Sequence, residues 1–309
     1  MGVMITDRTP PTVPIDVPPA PAETARHALA ASRPWRTAVL AAATAGFALA
    51  FLVAYLLFVQ TPGGQRAEDG VVHSAQSLTR SAVDWAQPLR QLDLVVVLGA
   101  AGLAVLLLAL VRRRFALGVT ALVLFLLPLG LAQLLKVYLL ERPETLSGSG
   151  APGHNSFPSG HVSAVTAVLF ALAVVLPARY RTWVFALGAP AVAWVAASTV
   201  ALGWHRLSDT VGGSLLVAAV VCAGAVLVSA RRPDGRRIPP PATAFALLGP
   251  SAVVLGGYAV LSSGTSDSAQ FVAAMVLAAF SAVAVVLLAA WSLRRVNFDP
   301  AGARTRLAP

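Results

Sequence analysis

Eight stretches of the chain are dominated by apolar residues: 36–59, 92–111, 115–135, 160–177, 183–203, 210–230, 243–262 and 271–293. A helix needs roughly 20 apolar residues to cross the hydrocarbon core of a bilayer, and these runs meet or approach that length. In lipid they must be helical, because a strand satisfies its backbone only in a closed barrel, whose strands are about half as long. The pattern therefore predicts an all-α fold, a polytopic membrane helix bundle. Its expected parts are a six-span core over 35–230 and two additional transmembrane helices within 243–293.

The polar segments punctuate this pattern. Residues 1–34 are rich in Pro, Ala and Thr without a continuous apolar stretch, and read as a disordered cytoplasmic tail. They are not a cleavable signal peptide, since the first apolar run starts too late and is too long. Residues 60–91 read as a polar outer loop carrying a short amphipathic helix around 71–90. The Pro-rich stretch 231–242 reads as an inner linker and marks a boundary. Residues 294–309 form a second expected cytoplasmic tail.

Composition agrees with a membrane protein. Of the 309 residues 57% are hydrophobic and 12% charged, whereas soluble domains are about half apolar and about a quarter charged. The net charge of +10 would suggest nucleic acid in a soluble protein. Here the arginines cluster between apolar runs, which points to membrane topology and not to a nucleic-acid partner. The single cysteine, Cys222, lies in an apolar run; it excludes a disulfide framework and a Cys-based metal site.

Orientation follows from the basic residues. With the N-terminus cytoplasmic, 17 of the 23 Lys and Arg residues fall inside, in the two tails, at Arg112–Arg114, at Arg179 and Arg181, and in the 231–242 linker. The outer loops hold Arg66, Arg80, Arg90, Lys136, Arg142 and Arg206. The expected location is the plasma (cytoplasmic) membrane, as a multi-pass protein, with the composition, high in Ala, Val, Leu and Arg with a single Lys, suggesting a bacterial source. The orientation also raises the question of why Lys136, Arg142 and Arg206 lie on the face that usually avoids positive charge.

Three polar clusters meet that outer face. The first is Lys136 with Arg142-Pro143, at the end of the third run. The second is Asn155-Ser156-Phe157-Pro158-Ser159-Gly160-His161, at the start of the fourth. The third is Ser198 to Asp209, bridging the fifth and sixth. Ionisable groups at membrane depth are costly and usually functional. Lys136 and Arg142 suit phosphate oxygens. Pro158-Ser159-Gly160-His161 opens a helix whose first N–H groups favour an anion, with Gly160 permitting close backbone approach. His205 and Asp209 are four residues apart; on a helix they share a face, so the carboxylate can fix the imidazole's tautomer. One histidine can then serve as nucleophile and another as general acid. Taken singly, each feature has a plainer explanation: a snorkelling Lys136, a satisfied polar histidine, an interfacial Trp204. Their coincidence on one face does not. His27, His73 and His154 keep the plain reading.

At these residues the sequence resembles the type 2 phosphatidic acid phosphatase superfamily over roughly 90–230. That family's signature is Lys, six residues, Arg-Pro; then Pro-Ser-Gly-His; then Ser-Arg, five residues, His, three residues, Asp. The resemblance implies His205 as a nucleophile forming a phosphohistidine, Asp209 as its orienter and His161 as general acid. It implies phosphate binding by Lys136, Arg142, Ser159 and Gly160, with no cofactor and no metal. Two departures stand out. Only five residues separate Lys136 from Arg142, which would rotate Arg142 by about 100° on a continuous helix. Thr199 replaces the signature arginine, and Arg206 is the candidate substitute. The expected activity is hydrolysis of a lipid phosphate or polyprenyl diphosphate at the outer face, with the membrane lipid and bilayer as partners. The competing readings are a phosphotransferase using the same phosphohistidine and a non-catalytic lipid-phosphate-binding protein. A transporter is disfavoured because the polar groups lie at the rim and not at the midplane.

Overall fold

A computed structural model of the protein describes residues 21–77, 80–143, 155–230, 240–263 and 266–294, with Val296 and Phe298. It is all-helical, and no strand occurs among the described residues. Ten helices follow one another: α1 Pro21–Ala54, α2 Pro62–Ser77, α3 Pro88–Gln91, α4 Leu94–Val111, α5 Phe115–Leu134, α6 Gly160–Val175, α7 Arg181–Ala201, α8 Leu207–Ala230, α9 Pro240–Ser262 and α10 Asp267–Leu293. A π-helical turn extends α1 over Tyr55–Val59, and another extends α5 over Leu135–Leu139.

Seven of these helices are long and apolar enough to cross a membrane. The eighth expected span, α6, has only 16 residues, about 24 Å against a hydrocarbon core of about 30 Å. It is shielded by its neighbours, packing on α5, α7, α8 and α4. α8 is the central helix, contacting α1, α10, α6 and α5. α4 lies at the edge and exposes Leu103, Leu106, Leu107 and Leu110, the outward apolar surface that lipid would cover. α9 runs along α1, and α10 packs on both α7 and α8. The last two helices are thus built into the wall of the bundle.

Two polar segments differ from expectation. α1 begins at Pro21, inside the 1–34 segment expected as a disordered tail; proline at a helix start and an alanine-rich continuation favour the helix. Residues 1–20, most of the 231–242 linker and residues 299–309 lie outside the described residues, as does His154. The 60–91 loop is nearly all helical, and its main helix is α2, earlier than the expected 71–90. Thr61 and Pro62 explain the start: the Gly64 N–H donates to Thr61 Oγ1 at 3.0 Å and the Gln65 N–H to Thr61 O at 3.0 Å, with proline in the first helical position.

The end of the bundle opposite the polar clusters is tied by arginines on helix carbonyls. Arg112 donates to Val175 O. Arg181 donates through Nε to Ala173 O at 3.0 Å and through Nη1 to Val296 O at 2.7 Å. Cations at the C-terminal carbonyls of α6 satisfy groups that the helix itself cannot.

Candidate functional site

The three clusters converge at one end of the bundle. α6 starts at Gly160, α8 starts at Leu207, and the π turn of α5 ends beside them. Ser159 caps α6, its Oγ accepting from the Val162 N–H at 3.4 Å, while its backbone N–H donates to Asp209 O at 2.8 Å. The Pro-Ser-Gly turn is thereby bonded to the first turn of α8. Close approach of the two helices requires Gly213: a Cβ there would stand 2.8 Å from Ser159 O.

His205 sits in a short turn between α7 and α8. The chain reverses at Gly203, whose φ of +67° suits glycine. The N–H groups of Trp204 and His205 both donate to Thr199 O, at 3.0 and 3.1 Å. One oxygen of Asp209 then gathers three partners. Oδ2 lies 3.3 Å from His205 Nδ1, and it accepts from Ser156 Oγ at 2.5 Å and from the Arg206 N–H at 2.9 Å. Asp209 is wholly buried, and the His205 side chain is 10% exposed. Because Nδ1 is engaged by the carboxylate, Nε2 is the free nitrogen of His205.

His161 faces this pair, its ring centroid 6.1 Å from that of His205 and 5.4 Å from that of Trp204. Trp204 is therefore a wall of the site, and the Arg90 guanidinium stacks 5.7 Å from its ring at the mouth. A Cβ on Gly160 would meet no heavy atom within 4 Å, so the start of α6 faces open space. Lys136 is close enough to interact electrostatically with both Asp209 and His161.

Arg142 does not continue the helix of Lys136. Leu140 is extended (φ −110°, ψ 128°), so the rotation expected from the missing residue does not arise. Bonds to the preceding segments hold this stretch: Glu141 O accepts from Tyr55 Oη at 2.8 Å and Gln60 Nε2 at 2.6 Å, and Pro143 O accepts from Gln65 Nε2 at 2.8 Å. Asn155 Nδ2 donates to Leu140 O at 2.7 Å. The Arg142 side chain is 5% exposed, and neither Nη atom makes a hydrogen bond among the described residues.

The structure brings Lys136, Arg142, Ser159, Gly160, His161, His205 and Asp209 to one end of the bundle. Arg206 behaves differently. Its Nη2 lies 3.4 Å from Asp69 Oδ1, so its guanidinium fastens the His205 turn to α2. The expected substitution of Arg206 for the missing phosphate donor is replaced by this tie, because adjacent residues on a turn project in different directions. Thr199 is fully buried, its Oγ1 donating to Ala196 O at 2.9 Å within α7.

Sequence reasoning missed Glu68. This fully buried carboxylate accepts from the Ser208 N–H at 2.7 Å and from Ser208 Oγ at 3.0 Å, and lies 3.7 Å from Arg142 Nη2. Burial pushes its carboxyl up from 4.5 to about 7; Arg142 opposes this, Asp209 adds to it, and the Ser208 N–H and Arg206 lower it. Among the described residues no group of three or more His, Cys, Asp or Glu is arranged to hold a metal ion.

Beside His161 opens an apolar cleft of about 130 Å³, lined by Leu89, Leu92, Val97 and Leu98 on one side and by Val165 and Val168 on the other. Comparison with curated proteins and with solved structures finds no match. A family model described as the PAP2 superfamily does match, over residues 117–234. That segment holds Lys136, Arg142, the Pro158-Ser159-Gly160-His161 turn, His205 and Asp209, and over it the chain is similar to the PAP2 superfamily.

Proposed function

We propose that this protein is a membrane phosphatase that hydrolyses a lipid phosphate or polyprenyl diphosphate through a phosphohistidine on His205. The observation that carries this reading is the pairing of two imidazoles with ring centroids 6.1 Å apart, edge to face, one of them anchored by a buried carboxylate.

Nε2 of His205 attacks phosphorus in line with the leaving oxygen. The N–P bond forms as the P–O bond breaks, and His161 gives its proton to the departing oxygen. Asp209 stabilises the positive charge that develops on His205. Water then attacks the phosphohistidine, with His161 taking a proton from it; inorganic phosphate leaves and His205 is restored. Lys136, Arg142, the Ser159 hydroxyl and the first N–H groups of α6 are the donors for the phosphoryl oxygens. Ser159 Oγ accepts from Val162, which leaves its own proton to donate.

The apolar cleft beside His161 supports a lipid substrate, because it would place a hydrocarbon chain on the side where the leaving oxygen departs. The inward excess of arginine supports an extracytoplasmic site. The test is phosphate release from a panel of lipid phosphates and diphosphates in detergent. Wild type should release phosphate and His205→Ala should not; equal release from both would refute the assignment.

A further inference from the structure

The tie between Glu68 and Arg142 has a chemical consequence for the site, and it comes from α2, outside the segment that matches the family. Arg142 is buried and charged, with no hydrogen bond on either Nη atom among the described residues. The anion next to it is Glu68, at 3.7 Å: near enough to neutralise, too far for a hydrogen bond. A guanidinium held this way is free to turn its donors toward another anion.

Glu68 is held on its other side by Ser208, which lies between His205 and Asp209 on the chain. Oε1 takes the Ser208 N–H and Oε2 takes its hydroxyl. This contact tolerates either charge state. With Glu68 ionised, the Ser208 hydroxyl donates to Oε2; with Glu68 protonated, Oε2–H donates to Ser208 Oγ, and Oε1 still accepts from the backbone. Only the attraction to Arg142 changes.

The groups facing Glu68 define its response. Arg142 follows the π turn of α5, Arg206 precedes α8, and Asp209 lies on α8. On its own helix, Asp69 is paired with Arg206. Helices α7, α9 and α10 and the Tyr55–Val59 π turn also pack on α2; α9 and the π turn have no charged residue, while α7 has only Arg181 and α10 only Asp267, each at its first position. A phosphate dianion drawn to Arg142 and Lys136 would therefore take away the cation that stabilises the Glu68 carboxylate and add like charge beside it.

We infer that Glu68 is a positioning residue that couples proton uptake to phosphate binding: ionised, it holds Arg142 in the free site, and it takes one proton from solvent as Arg142 turns to the bound oxyanion. This rests on the function proposed above, since it assigns Arg142 to phosphate. The balance is simple, because one O–H bond forms on Glu68 per oxyanion bound and no other bond changes.

The test uses the full chain in detergent and sulfate as the probe, a divalent oxyanion with no proton to lose near neutral pH. Sulfate affinity is measured by calorimetry from pH 6 to 8 for wild type and Glu68→Gln. Coupling to one proton weakens wild-type binding by up to about tenfold per pH unit. The histidines contribute equally to both proteins, so the difference between the two slopes isolates Glu68. The expected result is a flatter slope in the variant, with affinity at pH 8 above that of wild type. Parallel slopes, or a variant weakened by one factor at every pH, would assign Glu68 a merely structural role and overturn the inference. If the variant does not fold, calorimetry of wild type, His161→Ala and His205→Ala in two buffers of different ionisation enthalpy must show proton uptake on sulfate binding that persists when either histidine is removed, and uptake that vanishes with a histidine, or none, would overturn the proposal. Wild type that binds no sulfate at all overturns the oxyanion site itself, a failure distinct from parallel slopes.

Discussion

Replacing Glu68 by glutamine should change how the protein's stability responds to pH. The folded carboxyl titrates at about 7 against an ordinary value of 4.5. The folded state therefore holds a proton that the unfolded chain has lost throughout the interval between those values. Stability from this group is complete below about 4.5 and is lost as pH rises through about 7. At 1.36 kcal/mol per pH unit the interval is worth about 3 kcal/mol. The glutamine amide carries no charge at any pH, keeps an acceptor for the Ser208 N–H, and removes that dependence. The assay is thermal unfolding in detergent from pH 4.5 to 8, followed by the fluorescence of the six tryptophans. The other carboxylates and histidines titrate alike in both proteins, so the wild-type curve should fall relative to the variant's by several degrees between pH 5 and 7.5. Curves that stay parallel across that range would refute the reasoning, because they would mean that Glu68 titrates alike in the folded and unfolded chain.

Other outcomes follow from the same geometry. Asp209→Asn frees His205 from its fixed tautomer and should lower kcat on the order of 10³- to 10⁴-fold, as loss of an orienting carboxylate does elsewhere, and should lower the unfolding temperature as well, since the buried carboxylate accepts from Ser156 and the Arg206 N–H. Gly160→Ala places a methyl where nothing lies within 4 Å; the protein should be as stable as wild type or up to about 1 kcal/mol more so, while phosphate release falls on the order of 100-fold by displacement of the substrate. Gly213→Ala should behave in the opposite sense, losing stability and activity together, since its Cβ would stand 2.8 Å from Ser159 O. Expression yield and unfolding temperature separate the two glycine variants.

What could be read in the sequence was whatever has a one-dimensional signature. The long apolar runs became helices because lipid leaves the backbone no alternative; His205 and Asp209 do meet, but through the turn that precedes α8 and not along one helical face. The Lys136–Arg142 spacing misled, because a π turn and an extended Leu140 are local backbone events that no apolar period reports. Arg206 was read by its proximity in sequence to His205, whereas its direction is set by Asp69, 137 residues away. Glu68 was invisible for a related reason: it lies in a segment that reads as a polar loop, although a carboxylate among Gln65, Ala67, Val71 and Val72, all buried on one helix, was the available signal. Long-range ion pairs have no such trace. The short α6 also fits its task, since a site at its start is set within the bundle and not on its surface.

The most direct measurement of the central claim is chemical trapping of the intermediate. Protein incubated briefly with a radiolabelled lipid phosphate and quenched in alkali should carry an acid-labile label that mass spectrometry places on His205, and His205→Ala should carry none and release no phosphate. Phosphate release by wild type without label on His205, or by His205→Ala at the wild-type rate, would contradict the account.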